Sequence, residues 1–168
     1  MIKLVQYRDP WLFEKVSDVI GFYPREFYCF DNFSSFKVEY NGYVYSTSEE
    51  AYQAAKFEGC APEVVEEIKH SFSAHEAQKV AQKNKEKQRP DWDYVKNSVM
   101  EDILRAKLQQ NPYVLKKLAE TKGYIIVEDS PKDSYWGWGP DRKGKNMLGK
   151  LWMKIRDDIY VESNVIEV

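Results

Sequence analysis

Few residues in this sequence are suited to holding a metal ion or forming a disulfide bond. The 168 residues include two cysteines, Cys29 and Cys60, without a Cys-X-X-Cys pair, and two histidines, His70 and His75. Histidines five positions apart project about 140° from each other on a helix, so they do not share a face. A zinc site is therefore not expected, and no cofactor is predicted. A Cys29–Cys60 disulfide stays open, although two lone cysteines without a secretion signal favour reduced thiols.

Long apolar runs and a strong excess of one charge are also missing. No stretch approaches the roughly 20 apolar residues of a membrane span, and residues 1–9 are too poor in apolar residues for a signal peptide. We therefore expect no membrane association and a cytoplasmic location. The net charge of -2 disfavours a general nucleic-acid binder, although the basic run from Lys79 to Arg89 is compatible with local binding.

The chain is long enough for one self-sufficient domain. At 168 residues, it is expected to bury roughly two-thirds of its unfolded surface and to need no disulfide or metal for stability. Its 43% apolar and 31% charged residues are ordinary for an ordered globular protein. We therefore predict a single domain over residues 1–168.

A β-hairpin is predicted in an aromatic-rich part of the chain. Residues 36–45 have a strand-like alternating pattern that Asn41-Gly42 interrupts. Asn-Gly between strand-like residues is the strongest short-range hairpin signal, because both residues tolerate positive φ. A second short strand, buried, is predicted at 124–127.

Capping residues and helical apolar spacing predict six helices. Thr47 and Ser73 each precede a glutamate by three residues, which is the capping-box pattern of a helix start. The predicted helices run from Thr47 to about Glu58, from Pro62 onward, from Ser73 toward Lys85, from Trp92 to Asn111, from Pro112 to Gly123, and from about Asn146 through Ile159. In the fifth helix we expect Leu115 and Leu118 to face inward. The fold class is therefore α+β, predominantly helical, with a small β-sheet.

One face of the first predicted helix carries chemically useful side chains. Glu49, Tyr52, Gln53 and Lys56 follow the i, i+3, i+4, i+7 spacing that places residues on one helix face. A carboxylate serves as general acid or base, or stabilises an oxocarbenium-like transition state. A lysine whose pKa is lowered by burial donates a proton or forms a Schiff base. The alternative is an ordinary solvent-exposed face, since polar stripes are common on helices.

A glycine-rich turn near the C-terminus predicts an anion site. Its glycines let the backbone approach a ligand, its basic side chains suit a phosphate, and its tryptophans suit stacking on a base. Asn146 is expected to cap the helix that follows. These features lie at Trp136, Gly137, Trp138, Gly139, Arg142, Lys143, Gly144 and Lys145. Neither a Walker A nor a GxGxxG motif is present, and a tight surface turn with tryptophans in the core stays an alternative.

These segments and several single residues together match a known family pattern. The matching residues are Asp31–Ser34, Asn41-Gly42, Thr47–Glu49, Gln53-Ala54, Lys56-Phe57, Arg89, Trp92, Met100, Lys107, Thr121, Glu128, Asp133, Tyr135–Gly137, Gly139, Gly144, Asn146, Leu148-Gly149, Met153 and Arg156. In this order they resemble the NADAR, or YbiA-like, family over about residues 22–159. One position departs from the family pattern, because many members carry an acidic residue where this chain has Trp138.

The resemblance implies a mainly helical α+β fold and N-glycosidase activity. One branch of the family hydrolyses phosphoribosylated intermediates of riboflavin synthesis, and another removes ADP-ribose from guanine bases. By matching position, Glu49, Lys56 and Asp133 are the catalytic candidates. The implied substrate-binding residues are Asn32, Phe33, Tyr52, Arg89, Trp92, Trp136, Gly137, Gly139, Lys143, Gly144 and Asn146.

Two functions other than catalysis stay open. The resemblance favours hydrolysis of a ribose C1–N bond in ADP-ribosylated guanine or a phosphoribosyl metabolite, with ADP-ribosylated nucleic acid as a further possible partner. A non-catalytic module that binds ADP-ribose or a related nucleotide is the first alternative. A protein-interaction module with an exposed aromatic surface over Phe22–Phe36 is the second.

Overall fold

A computed structural model describes residues 19–22 and 26–165, except for the side chains of 163–165. The chain divides into two compact units. The central unit is Asn32–Pro112, and the terminal unit comprises the described residues up to Asp31 and from Tyr113 onward. The elements are β1 Val19–Phe22, a 3-10 turn Tyr28–Phe30, β2 Val38–Tyr40, β3 Tyr43–Tyr45, α1 Ser48–Ala55, α2 Pro62–Lys69, α3 Ala74–Lys83, a 3-10 turn Lys85–Lys87, α4 Trp92–Gln110, α5 Pro112–Glu120, β4 Ile125–Glu128 and α6 Met147–Val165. The predominantly helical α+β class is confirmed, while a single domain over 1–168 stays a prediction.

The central unit begins with the expected hairpin. Strands β2 and β3 pair antiparallel, with Val38 opposite Tyr45. Asn41 and Gly42 form the turn with φ of 49° and 75°. Two successive positive φ values are typical of the tight turn that matches strand twist, so the hairpin prediction is confirmed.

Helix α1 begins where the capping pattern predicts and ends earlier than expected. The Thr47 hydroxyl accepts a hydrogen bond from the backbone N–H of Glu50 at 3.2 Å. The helix was expected to reach about residue 58, but it ends at Ala55. The N–H of Phe57 bonds to the carbonyl of Ala54, three residues back, and this tightens the chain into a turn. The Ser73 cap of α3 is also confirmed, with a 3.1 Å bond from Glu76.

The terminal unit is built on a parallel pair of strands. Strand β1 pairs with β4, placing Val19 opposite Ile125, and α6 packs against β4. The ring of Phe30 lies 5.8 Å from Phe22 and 5.1 Å from Trp152. The indole N–H of Trp152 donates to the Phe30 carbonyl at 3.1 Å. This aromatic cluster is the core of the unit.

Burial decides part of two expectations about surface residues. Phe22, Phe27 and Phe30 are at most 4% exposed and cannot belong to an aromatic docking surface, whereas Tyr28 is 38% exposed, so such a surface stays an alternative only for the remaining aromatics. Leu115 is 45% exposed, whereas Val114 is fully buried. The buried face of α5 therefore lies one residue earlier than expected, because Val114 and Leu118 have the i, i+4 spacing that a helix face requires.

Cys29, which is buried, and Cys60, which is exposed, are both free, in agreement with the expectation of reduced thiols. Among the described residues, no helix has the length and apolar character needed to cross a membrane.

Candidate active site

Asn32 fixes the start of helix α1. Its backbone carbonyl accepts the N–H of Glu49 at 3.0 Å, and its side-chain oxygen accepts the Ser48 hydroxyl at 3.0 Å. The amide N–H of Asn32 donates to the sulfur of Met100 at 3.4 Å. Asn32 is only 6% exposed. It positions the residues next to Glu49, and its predicted contact with substrate stays a prediction.

The carboxylate of Glu49 is held by two side-chain amides. Its Oε1 accepts Nε2–H of Gln53 at 2.7 Å and Nε2–H of Gln78 at 3.0 Å. Gln53 is one turn further along α1, and Gln78 is on α3. Glu49 is 5% exposed. Two N–H donors on one oxygen restrict the rotamer of Glu49, and the positive ends of their dipoles stabilise its negative charge. The carboxylate is therefore fixed before any ligand arrives.

Lys56 follows the last residue of α1 on the same helix face as Glu49. Its Nζ lies 5.1 Å from the ring centroid of Tyr52 and 5.9 Å from that of Trp92. Burial lowers the pKa of Lys56, the charges of Lys85 and Lys96 lower it further, and the charge of Glu49 opposes this shift. Lys56 forms no salt bridge with a described residue. The amine is therefore partly desolvated, and its pKa lies below the ordinary value for lysine. Its catalytic role stays a prediction.

A polar cleft of about 270 Å³ lies beside these residues in the central unit. It is lined by Gln53, Lys56, Gln78, Ala81, Gln82, Lys85 and Gln88. The side-chain oxygen of Gln53 is buried and has no hydrogen-bond partner among the described residues. Two cations and several amides make this cleft suitable for a small polar anion.

Two aromatic residues and an ion pair lie around Lys56. The rings of Tyr52 and Trp92 are 5.2 Å apart and tilted by 56°. The backbone N–H of Arg89 donates to the Lys56 carbonyl at 2.8 Å. The guanidinium of Arg89 forms a two-point ion pair with Asp91, at 2.6 Å and 2.9 Å. The predicted binding residue Arg89 therefore already has a carboxylate partner.

Phe33, another predicted binding residue, is partly buried in the central unit. Its ring packs against His75, with the centroids 4.8 Å apart. Both residues are within the unit that contains Glu49. Its contact with substrate stays a prediction.

In the terminal unit, Asp133 organises the turn that follows β4. Its Oδ1 accepts the backbone N–H groups of Tyr135 and Trp136, both at 2.8 Å. Ser130 accepts the N–H of Asp133 itself at 3.3 Å. Among the described residues, no hydrogen bond engages Oδ2 of Asp133. The carboxylate therefore has a structural role through one oxygen, and its catalytic role stays a prediction.

The expectation that backbone N–H groups at the start of α6 bind an anion is wrong. The N–H groups of residues 144–148 donate to carbonyls of residues 134–138, at 2.8–3.0 Å. These pairs are Gly144 to Trp138, Lys145 to Ser134, Asn146 to Gly137, Met147 to Tyr135 and Leu148 to Trp136. N–H groups that already donate to the chain's own backbone are unavailable to a phosphate. Phosphate binding by this turn is left to its side chains, of which Lys143 and Lys145 are exposed.

The glycines of this turn are explained by its own packing. A Cβ on Gly137 lies 2.7 Å from the Glu128 carbonyl oxygen, and one on Gly144 lies 2.6 Å from that of Ser134. At Gly139, φ is +70°, a left-handed conformation that favours glycine. Gly137 and Gly144 are therefore required because the backbone of the turn packs closely against itself at these positions, without any ligand.

The expectation that the Asn146 side chain caps α6 is also wrong. Its Oδ1 accepts the N–H of Glu128 at 2.9 Å, and its Nδ2 donates to the Ile126 carbonyl at 2.9 Å. Asn146 has φ of 49° instead of the extended backbone of a typical N-cap. The side chain thus continues the hydrogen bonding of β4 as a neighbouring strand does, and its contact with substrate stays a prediction.

The two tryptophans of the turn differ in accessibility. Trp138 is 3% exposed, and its indole N–H donates to Asp129 at 2.7 Å. It packs with Val19 and Val127 in the core. Trp136 is only partly buried, with its ring 5.0 Å from that of Tyr135. Trp138 thus occupies a core position, and Trp136 is better placed to stack on a ligand.

The structure brings together part of the predicted site and adds residues that the sequence did not reveal. Glu49, Tyr52, Lys56 and Trp92 lie in the central unit, whereas Asp133 lies in the terminal unit. Convergence of Asp133 with the other catalytic candidates stays a prediction. The residues missed were Gln78, Gln82, Lys85 and Gln88, which lie in or next to the basic run from Lys79 to Arg89. No group of three metal-ligating side chains occurs among the described residues.

Comparison with known proteins identifies the class to which this fold and site belong. The family model of the NADAR domain matches residues 19–160. N-glycosidase YbiA of Shigella boydii is 34% identical over 146 residues, covering 86% of this chain and 90% of that protein. The NMR structure of the Escherichia coli protein YbiA has a TM-score of 0.78 and 33% identity, with 86% of each chain covered. The chain therefore belongs to the NADAR domain family.

A plant relative is much longer than this chain. The chloroplastic riboflavin biosynthesis protein PYRR of Zea mays is 34% identical over 166 residues, covering 90% of this chain. The chain spans 27% of the length of that protein. The similarity therefore concerns one part of the plant protein.

Proposed function

We propose that this chain is an N-glycosidase that hydrolyses the bond between ribose C1 and a nitrogen atom. The proposed substrates are ADP-ribosylated guanine or a phosphoribosyl metabolite. The family membership and the name N-glycosidase of the Shigella relative support the reaction class. The observation that carries the proposal is the buried carboxylate of Glu49, which lies on the same face of α1 as Lys56. This carboxylate accepts hydrogen bonds from the side-chain amides of Gln53 on α1 and Gln78 on α3.

The proposed reaction places Glu49 beside the anomeric carbon. When the C1–N bond breaks, its electron pair leaves with the nitrogen and positive charge develops on the ribose ring. A fixed carboxylate stabilises that charge because it needs no reorganisation during the reaction. Water then supplies the oxygen of the new C1–O bond, and the departing nitrogen gains a proton. The products are a free base or amine and a ribose with a C1 hydroxyl.

Lys56 has two proposed roles that the lowered pKa supports equally. As an ammonium, it donates the proton to the departing nitrogen. As a neutral amine, it attacks C1 of the ring-opened iminium form of the substrate, and the base or amine nitrogen leaves with the C1–N electron pair and gains a proton. The Schiff base that remains between Lys56 and C1 is then hydrolysed by water, which frees the ribose and the amine. The two roles need opposite protonation states of Lys56, so they predict opposite pH dependence.

Three residues of the terminal unit are proposed as further substrate contacts, as the family resemblance implies. Asp133 is assigned to the ribose hydroxyls or to water, since its Oδ2 is not engaged by a described residue. Trp136 is assigned to stacking on the base, because it is the more accessible of the two tryptophans. Lys143, which is exposed, is assigned to phosphate.

A product assay tests the proposed function. Purified protein is incubated with ADP-ribosylated guanine, as nucleoside and in DNA, and with phosphoribosyl-aminopyrimidine, and released base is followed by mass spectrometry. Release from one substrate class establishes the activity and selects the branch. Glu49→Gln preserves a side-chain oxygen that accepts from Gln53 and Gln78, so the fold is retained while turnover falls by about 100-fold or more.

The same assay distinguishes the enzyme from a binding module. Absence of base release from every substrate, together with measurable ADP-ribose binding by calorimetry, would replace the proposal with a non-catalytic nucleotide-binding function. Wild-type rates in folded Glu49→Gln would remove Glu49 from the mechanism.

A further inference from the structure

The amide of Gln53 is unusual among the described polar groups. Gln53 is 5% exposed, and its nitrogen is committed to Glu49 at 2.7 Å. Its oxygen is buried and accepts no hydrogen bond from a described residue. Most buried polar atoms are paired, and an unpaired acceptor costs stability of about 1–3 kcal/mol. An unpaired acceptor in a residue that lines a cleft indicates that a hydrogen-bond donor of a ligand pairs with it.

The orientation of this amide is fixed by its neighbour. If the amide were reversed, its oxygen would face the Glu49 carboxylate, and two acceptors would repel each other. Gln53 also lines the cleft, so its buried, unpaired oxygen belongs to a residue of the candidate site. Gln78 provides a natural comparison, because it donates to the same oxygen of Glu49 at 3.0 Å and has no orphaned buried oxygen.

We propose that Oε1 of Gln53 accepts a hydrogen bond from the ribose 2-hydroxyl and so selects ribosides over 2-deoxyribosides. This inference rests on the proposed function, in which Glu49 lies beside C1. The oxygen and nitrogen of an amide are about 2.3 Å apart. Because the nitrogen of Gln53 donates to Glu49, its Oε1 lies next to the carboxylate on the other side of the same amide group. In the sugar, the 2-hydroxyl is attached to the carbon next to C1. A donor at that position reaches Gln53 while C1 faces Glu49.

The chemistry of the reaction gives this contact a catalytic value. Hydrogen bonds to the sugar 2-hydroxyl strengthen as positive charge develops at C1, because the hydroxyl becomes more acidic. A neutral amide oxygen accepts this bond without adding a second charge beside Glu49. Gln53 is therefore a specificity-determining residue that also restrains Glu49. A cleft of about 270 Å³ containing Lys56 and Lys85 suits a ribose with one phosphate.

Rates with paired substrates test the inference in the active protein. The substrate released in the product assay is compared with its 2-deoxyribose analogue for wild type, Gln53→Met and Gln78→Met. Comparing the variants cancels the intrinsic difference in reactivity between the two sugars. Gln53→Met is expected to lower the riboside-to-deoxyriboside ratio of kcat/KM by about tenfold or more. Gln78→Met slows both substrates and leaves the ratio unchanged, because it removes only a donor to Glu49.

A binding measurement separates this inference from the proposed function. Titration calorimetry with ribose 5-phosphate and 2-deoxyribose 5-phosphate requires no turnover. Wild type and Gln78→Met are expected to prefer ribose 5-phosphate, and Gln53→Met is expected to bind both sugars equally. The inference is overturned if wild type prefers ribose 5-phosphate and Gln53→Met keeps that preference. It is also overturned if wild type binds the two sugars equally or binds neither. Base release in the product assay would then leave the proposed function standing.

A second variant covers the case in which Gln53→Met does not fold. Gln53→Glu retains a side-chain acceptor, and at acidic pH its carboxyl proton replaces the amide donor to Glu49, so this variant is measured under those conditions. It is expected to bind ribose 5-phosphate in preference to the deoxy sugar, although its turnover falls. Loss of that preference in a folded Gln53→Glu protein contradicts the assignment of the oxygen.

Discussion

The side-chain nitrogen of Lys56 lies 5.1 Å from the ring centroid of Tyr52. An aromatic face stabilises the cationic amine, while burial lowers its pKa and the Glu49 carboxylate opposes that shift. The pKa of Lys56 is therefore set by desolvation and the charges of Lys85 and Lys96, which lower it, against the negative charge of Glu49, which raises it.

Removing the charge of Glu49 is expected to lower the pKa of Lys56 further. In Glu49→Gln, burial and the neighbouring Lys85 and Lys96 still act, but the opposing carboxylate is gone. An NMR titration of the Lys56 side chain in wild type and Glu49→Gln measures this shift directly. Lys96→Gln is the matched comparison and should move the pKa upward, because Lys96 lowers it. An upward shift in Glu49→Gln would show that the two groups are not coupled as described.

The pH dependence of turnover distinguishes the two roles of Lys56. If Lys56 is a nucleophile, kcat/KM rises as pH increases through its pKa, which lies below the ordinary value of 10.5. If Lys56 is the acid, kcat/KM falls over the same range. Lys56→Ala should reduce turnover by about 100-fold in either case. Borohydride trapping with substrate leaves a stable adduct on Lys56 only for the nucleophile, and an adduct in Lys56→Ala would assign it to another residue.

Replacing Lys56 with methionine is expected to leave thermal stability unchanged or higher at pH 7. The folded pKa is lowered, so between this value and 10.5 the unfolded chain binds more protons and stability rises with pH. Below the folded pKa both states are protonated and the folded protein bears the full cost of burying the charge, and above it the folded protein bears the cost of deprotonating the amine instead. Methionine removes that cost at similar length. A Tm lowered by several degrees would indicate that contacts of the ammonium group outweigh its desolvation.

The parts of this structure that follow from the sequence are those set by neighbouring residues. Asn41-Gly42 forms its turn, and Thr47 and Ser73 cap their helices, because each signal acts over a few positions. The polar face of α1 was predictable for the same reason. Its helical spacing specifies which side chains share a face, whatever packs against it.

The features that were missed depend on distant contacts. Gln78 reaches Glu49 across 29 positions of sequence, and strand β1 pairs with β4, about a hundred residues away. No periodic pattern signals either contact. The turn before α6 was misinterpreted because its glycines are suited equally to a ligand and to the chain's own backbone. The carbonyls of residues 134–138 accept the N–H groups that a ligand would otherwise bind, so the close approach is made by the chain's own backbone.

Alanine at position 144 is expected to destabilise the protein. A Cβ there lies 2.6 Å from the Ser134 oxygen and 2.7 Å from the Gly137 oxygen, and both are backbone atoms that move only if the turn opens. We expect a loss of about 1–3 kcal/mol in the free energy of unfolding, measured by denaturant titration. Gly21→Ala is the control, because its nearest contact is a side-chain atom of Asp129 at 3.4 Å. Equal stability of the two variants would contradict the packing of the turn.

Loss of the Arg156 side chain is expected to destabilise the terminal unit. Nη1 of Arg156 donates to the carbonyl oxygens of Thr121 and Tyr124, both at 2.8 Å, and thereby joins α6 to the segment between α5 and β4. Arg156→Met leaves both carbonyls without this donor, at a cost of about 2–3 kcal/mol in the free energy of unfolding. Lys154→Met, on the same helix, removes a 3.9 Å ion pair to Asp158 at an exposed position and should stay within about 0.5 kcal/mol of wild type. Since Arg156 acts on the fold, ligand affinity of the remaining folded protein should be unchanged. A stable Arg156→Met protein would show that water replaces the guanidinium at these carbonyls.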